Sequence, residues 1–201
     1  MNSPMLQRVL FEITGTLDSS RIPYALMDSF ALKLYGSPQF ALNLDLIADK
    51  RDREGLTAKL EKVNFHCCDK SEIYSRFESE GDICGRVECM FIRTRDGREI
   101  LDRRKYTTDS AMGSVPVIQP TDYIVMKLIS MTNQPWGSVE DEADIRSVLE
   151  LYKMGQIPTW CGPLDKERIK TFARKLGQEL VVERLFQEVF EPLPSSKMFV
   201  L

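Results

Sequence analysis

Residues 22–49 read IPYALMDSFALKLYGSPQFALNLDLIAD. Near the end of this stretch Leu42, Leu44 and Leu46 alternate with Asn43, Asp45 and Ile47. That period of two predicts a strand over 42–48 with one apolar face and one carrying Asn43 and Asp45. Upstream, 24–27 is a short strand candidate. A brief helix over 29–35 follows, with Asp28 or Ser29 to cap it and Gly36 with Pro38 to stop it.

The pattern extends in both directions. Before it, Leu6, Val9, Leu10, Ile13 and Leu17 fall at helical spacing, so an amphipathic helix spans 4–18. After it, 49–63 is a charged helix with Leu56, Leu60 and Val63 on its apolar side, and 64–68 and 72–79 are strand candidates. Residues 82–95 form the next alternating strand. Ile83, Gly85, Val87, Cys89 and Phe91 lie on one face, and Cys84, Arg86, Glu88, Met90 and Ile92 on the other. Asp96-Gly97 reads as a turn, with a short helix near 98–104. Beyond Pro116 and Pro120 the character changes to helices over 121–131, 139–152, 165–176 and 180–190, with Thr121 and Asp165 as caps. The expected class is α+β, a small mixed sheet flanked by helices, divided into a 1–118 core and a 119–201 helical region packed on it.

Composition narrows the function. The 201 residues carry a net charge of −3, which offers no global attraction to nucleic acid or anionic lipid. A phosphate-bearing ligand would need a local basic site. Apolar runs such as IVMKLISM at 124–131 are too short to span a bilayer, and the N-terminus has no signal-peptide pattern, so a cytoplasmic location is the default. Five cysteines without repeated CxxC spacing read as reduced thiols. With His66 as the one histidine, zinc motifs and His-dependent nucleophilic mechanisms have little to build on. Arg93, Arg95, Arg98, Arg103, Arg104 and Lys105 are interleaved with Asp96, Glu99 and Asp102, a salt-bridged surface or, alternatively, a phosphate or RNA contact. Trp136 and Trp160 read as core anchors.

Two carboxylates two residues apart on a strand share a face, about 6 to 7 Å apart. With a third from a neighbouring strand they can hold divalent cations, clamp a triphosphate and activate a hydroxyl. Here the first position is Asn43 and the second Asp45. Glu88 is placed by period as a third ligand if its strand lies beside 42–48, and Asp49 continues the face near the strand end. Taken alone, NLDL is equally ordinary strand polarity.

The order of strand, polar turn, helix ending in LYG, loop and x-D-x-D-like strand resembles the nucleotidyltransferase superfamily (the DNA polymerase-beta-like fold), in particular its AbiEii-toxin-like branch. IQPTDYIVMKLISM at 118–131 resembles that family's P-E-D-L-x-x-x-K-L-x-A helix, and SVEDEADIRSVLELY at 138–152 its K-D-x-x-D-I-x-x-L helix. The resemblance covers roughly residues 20–155. It implies metal ligation by Asp45, Glu88 and Asn43, phosphate contacts by Asp28 and Ser29, a lysine near the phosphates at Lys127, and a further acid at Asp144 or Asp141. Without it, Lys127 reads as a lysine reaching out from the core edge, and Asp141 and Asp144 as a solvated acidic helix start.

Four positions depart from the family pattern: Asp28 stands for a glycine, Gln39 for the arginine, Ala41 for the threonine and Asn43 for the first acid. An aspartate where backbone meets phosphate adds bulk and repulsion, and an asparagine brings no charge to a metal. The expected protein is therefore nucleotidyltransferase-like with an eroded metal site, weakly active or non-catalytic, keeping a nucleotide or ligand cleft or an interaction role in a toxin–antitoxin-like setting. The alternative is an active Mg²⁺-dependent enzyme moving a nucleotidyl group from a nucleoside triphosphate to a hydroxyl of a small molecule, RNA or protein. Magnesium is expected only if the enzyme is active. The partners expected are a nucleoside triphosphate and a protein partner or second copy; neither a membrane nor a strong nucleic-acid signature is indicated.

Overall fold

The computed structural model describes residues 4–38, 43–79, 85–108, 113–133 and 138–191. It divides into two compact units, 1–34 with 38–119, and 35–37 with 120–201.

In the first unit, α1 (Pro4–Ser19) precedes β1 (Tyr24–Leu26), α2 (Asp28–Leu34) and β2 (Leu44–Asp49). A single 3-10 turn leads into α3 (Arg53–Lys62), followed by β3 (His66–Lys70), β4 (Tyr74–Ser79), β5 (Gly85–Ile92) and α4 (Arg95–Asp102). Two short strands, β6 (Lys105–Tyr106) and β7 (Pro116–Val117), complete a seven-stranded sheet in the order β3-β4-β5-β2-β1-β7-β6. β2 pairs antiparallel with β1 and parallel with β5, so the sheet is mixed and the class is α+β. β2 sits at the middle because its apolar residues Leu44, Leu46 and Ala48 are fully buried and want neighbours on both edges.

One face of the sheet carries Leu44, Leu46, Val87, Cys89 and Phe77, all fully buried. α1 lies against this face, with Val9, Leu10, Ile13 and Leu17 turned inward. Each such buried side chain contributes about 1.5–3 kcal/mol relative to exposure. The approach at Gly85 is close: a Cβ there would fall 2.6 Å from Val9 Cγ2. Arg53 of α3 holds the same face from the side, donating to the Tyr74 carbonyl and Ser75 Oγ while lying over the Phe91 ring.

The segment at 94–102 differs from its reading. Asp96 and Gly97 do not form a turn but the first turn of α4, whose N-cap Thr94 accepts a hydrogen bond from the Gly97 amide at 3.1 Å. The glycine is needed for contact rather than for turning, since a Cβ would lie 2.9 Å from Ile92 Cβ. Ile92 closes β5 where 82–95 was expected to continue. That packing seats α4 over one end of the sheet face opposite α1, and there Ile47 is fully buried rather than turned to solvent.

The second unit holds α5 (Pro120–Asn133), α6 (Ser138–Lys153), α7 (Lys166–Leu176) and α8 (Glu179–Phe190). α5 packs on α6 and α7, and both of these pack on α8. Asp165 caps α7 as expected, accepting from the Arg168 amide, and Gly177 ends it in the left-handed region at φ +68°. Thr121 does not cap α5. It lies one residue inside that helix, fully buried, and its hydroxyl accepts the Asp165 amide at 2.9 Å, tying α7 to α5. Trp160 is half-buried in a 3-10 turn, and Trp136 lies outside the described residues. No helix among the described residues is long and apolar enough to cross a membrane.

Candidate functional site

The parallel pairing of β2 with β5 sets Asp45 opposite Glu88. The next two pairings extend the line: Glu88 faces Arg76 on β4, and Arg76 faces Asp69 on β3. Four charged residues, Asp45, Glu88, Arg76 and Asp69, thus form one row across four strands, on the face away from α1. Arg76 Nε donates to Glu88 Oε1 at 2.8 Å, and Arg76 Nη1 is 3.5 Å from Asp69 Oδ2. The Tyr74 hydroxyl donates to Asp69 Oδ2 at 2.7 Å. Its hydrogen bond to the Asp69 carboxylate raises the Tyr74 pKa, and the one to Glu88 does the same for Arg76. Arg76 and Asp69 were not singled out in the sequence. The alternation in YSRFES at 74–79 is the signal that puts Arg76 on the polar face.

Asn43 is half-buried and immediately precedes β2. Asp28 follows β1 with φ +52°, in the left-handed region where glycine rests without strain and aspartate is tolerated. Ser29 is half-buried in the first turn of α2. Gln39 and Ala41 lie outside the described residues.

Asp49, the last residue of β2, is committed to structure. Its carboxylate accepts from the Arg51 amide and guanidinium and lies 3.9 Å from Arg98 of α4. The hydrogen bond from Arg51 holds its carboxyl pKa below the ordinary value. A depressed folded-state pKa contributes stability that is present above the unfolded carboxyl value of about 3.9 and is lost as pH falls through the folded one. Asp49→Asn should therefore be less stable than the parent at pH 7. Urea unfolding should show the difference shrinking as the pH is taken down past 3.9, and a gap independent of pH would refute the assignment.

In the second unit, Lys127 of α5 reaches two acids of α6. Its Nζ is 2.8 Å from Asp144 Oδ2 and 3.4 Å from Asp141 Oδ1, and 5.5 Å from the Tyr123 ring centroid. The Tyr123 hydroxyl donates to Asp144 Oδ2 at 3.1 Å. The three charged side chains are 13%, 19% and 10% exposed for Lys127, Asp144 and Asp141, so this is an enclosed network rather than a solvated acidic helix start. Of the expected site residues, then, Asp45 and Glu88 come together in the first unit, and Lys127, Asp144 and Asp141 in the second.

The thiols and the histidine offer little chemistry. Cys89 and Cys161 are buried, and burial raises both thiol pKa values, that of Cys161 to about 12. They behave as small apolar residues. His66 is exposed on β3. Among the described residues no three His, Cys, Asp or Glu side chains form a group able to hold a metal ion.

The fold is nucleotidyltransferase-like. Similar solved structures include ANT(2″)-Ia in complex with adenylyl-2″-tobramycin, at TM-score 0.61 and 12% identity over 87% of this chain and 98% of that one. An antigenic nucleotidyltransferase-like protein from Paracoccidioides brasiliensis matches at TM-score 0.56 and 20% identity, over 91% and 94% of the two chains. The lincosamide antibiotic adenylyltransferase LnuA, bound to lincomycin, matches at TM-score 0.52 and 16% identity, over 72% and 96%. No protein-family model matches the chain, and no curated protein matches its sequence.

Proposed function

We propose that this is a nucleotidyltransferase-like protein of the AbiEii-toxin-like branch whose metal site has eroded. It keeps a nucleotide-binding or interaction role with little or no transfer activity. The observation that carries this reading is the pairing of Asp45 with Glu88 in register on the sheet face away from α1, with Asn43 where a further acid would stand. The donor set does not fit two divalent ions. Asn43 brings no charge, and the Glu88 carboxylate is already engaged by a guanidinium. Asp28 adds a negative charge at the turn where phosphate would approach backbone.

Two of the similar structures are named for adenylyl chemistry, which supports a nucleoside triphosphate as the first ligand to try. Thermal shift with a panel of nucleoside triphosphates, with and without Mg²⁺, tests the reading. A rise in melting temperature at millimolar nucleotide, little changed by Mg²⁺, is the expected result. Absence of any shift would remove the ligand role, and Mg²⁺-dependent release of pyrophosphate at enzymatic rates would replace the reading with the active enzyme.

A further inference from the structure

We propose that the outer groove between α7 and α8 is a self-association surface. A second copy fills it with the same groove, α7 of each copy lying on α8 of the other. The surface belongs to the second unit and uses no residue of the candidate site.

Helical spacing builds the groove. Lys166, Lys170 and Arg174 recur every fourth residue and line one side of α7. Across from them stand Glu179 and Glu183 of α8, followed by Phe186 and Phe190. Two hollows of about 320 and 180 Å³ share Lys170 and Glu183, so they join as one groove. Lys166 Nζ, at the start of α7, lies 4.1 Å from the Phe190 ring centroid at the end of α8. The two helices therefore run in opposite directions, with Arg174 and Glu179 at the other end of the groove.

The two walls carry opposite charge without neutralising each other. Lys170 is paired at 3.4 Å with Glu167 of its own helix. Among the described residues no ion pair crosses from Lys170 or Arg174 to Glu179 or Glu183. Lys170, Arg174 and Glu183 are exposed. Phe186 and Phe190, stacked with ring centroids 5.8 Å apart, are half-buried. Aromatic rings beside uncompensated charge are the make-up of an interface centre and its rim.

Symmetry selects the partner and its direction. A two-fold axis parallel to the helices sets α7 of one copy on α8 of the other at matching heights. Lys170 then meets Glu183, Arg174 meets Glu179, and Lys166 meets the Phe186–Phe190 pair, each contact occurring twice. A two-fold axis across the helices would set α7 on α7 and bring Lys170 onto Lys170, a like-charge arrangement. With 11 and 12 residues, α7 and α8 are each about 17 Å long, so the contact is at the small end of specific interfaces and the dimer is weak.

Sedimentation equilibrium of the full chain, from about 20 µM to about 1 mM, is the test. The parent should pass from monomer toward dimer over that range. Lys170→Glu and Glu183→Lys, each alone, put two like-charge contacts into the dimer and should weaken it at least about tenfold. An equimolar mixture of the two variants should associate again, because the mixed dimer has opposite charges at both contacts. Recovery in the mixture also shows that both variants are folded. A parent that stays monomeric overturns the inference and leaves the groove to another protein. Single variants that associate like the parent overturn it too, as does a mixture no tighter than its components.

Discussion

Asp122→Ala should destabilise the protein by about 3–5 kcal/mol, the range for breaking a buried ion pair by removing one partner. Asp122 lies in the first turn of α5 and its side chain is fully buried, while its partner Arg168 on α7 is only 13% exposed. Arg168 Nε donates to Asp122 Oδ1 at 2.8 Å, and the guanidinium carbon lies 5.0 Å from the Phe172 ring centroid. Removing the carboxylate leaves a cation in a site too enclosed to be rehydrated without opening the α5–α7 contact. Both tryptophans, Trp136 and Trp160, fall in the same half of the chain. Urea unfolding followed by their fluorescence therefore reports on the affected unit. A loss below about 1 kcal/mol would mean that the pair is solvated in the folded protein.

Lys127→Met should cost about 3 kcal/mol, again through an orphaned charge, but here two acids are left behind. The Nζ lies within 4 Å of both Asp144 and Asp141, so its loss leaves two carboxylates facing each other in an enclosed place. The double variant Lys127→Met with Asp144→Asn should be more stable than Lys127→Met alone. A coupling energy of opposite sign to the single losses, measured by a double-mutant cycle in urea, checks this. If Lys127→Met instead unfolds like the parent and only weakens nucleotide-dependent stabilisation, the lysine serves a ligand and not the helix pair. A lysine set between two acids of a neighbouring helix can thus hold that helix pair together.

Much of the fold was legible because long alternating or helical patterns survive in the sequence. NLDL and RVECMF showed their two faces outright, and the four later helices appear within a few residues of their predicted spans. β6 and β7 were not legible, since two residues carry no period; they are strands only because Val117 finds Leu26 and Lys105 finds Val117. Asp96-Gly97 has turn composition, yet the Thr94 cap and the contact with Ile92 make it a helix start. The site was half legible. Asp45 and Glu88 could be picked by period once their strands were set side by side, and register confirmed that they face each other. Arg76 could not be picked, because its meaning lies in what stands opposite it, and a one-residue bulge in the neighbouring strand β3 decides what faces it on that side. Likewise the link between Lys127 and Asp144 exists only through the packing of α5 on α6.

The position of β1 has a bearing on how the chain reaches this state. Leu26 pairs with Ala48's strand on one side and with Val117 on the other, roughly ninety positions further along. During synthesis the first neighbour emerges early and the second only after most of the sheet has been made. Until then one edge of β1 is an open hydrogen-bonding template, in a strand whose residues Tyr24, Ala25 and Leu26 are all buried in the finished fold. Closing so distant a pair raises the contact order and slows the last step of sheet assembly. A nascent chain halted before residue 116 would keep that edge bare, and self-association through β1 would be its most accessible wrong turn.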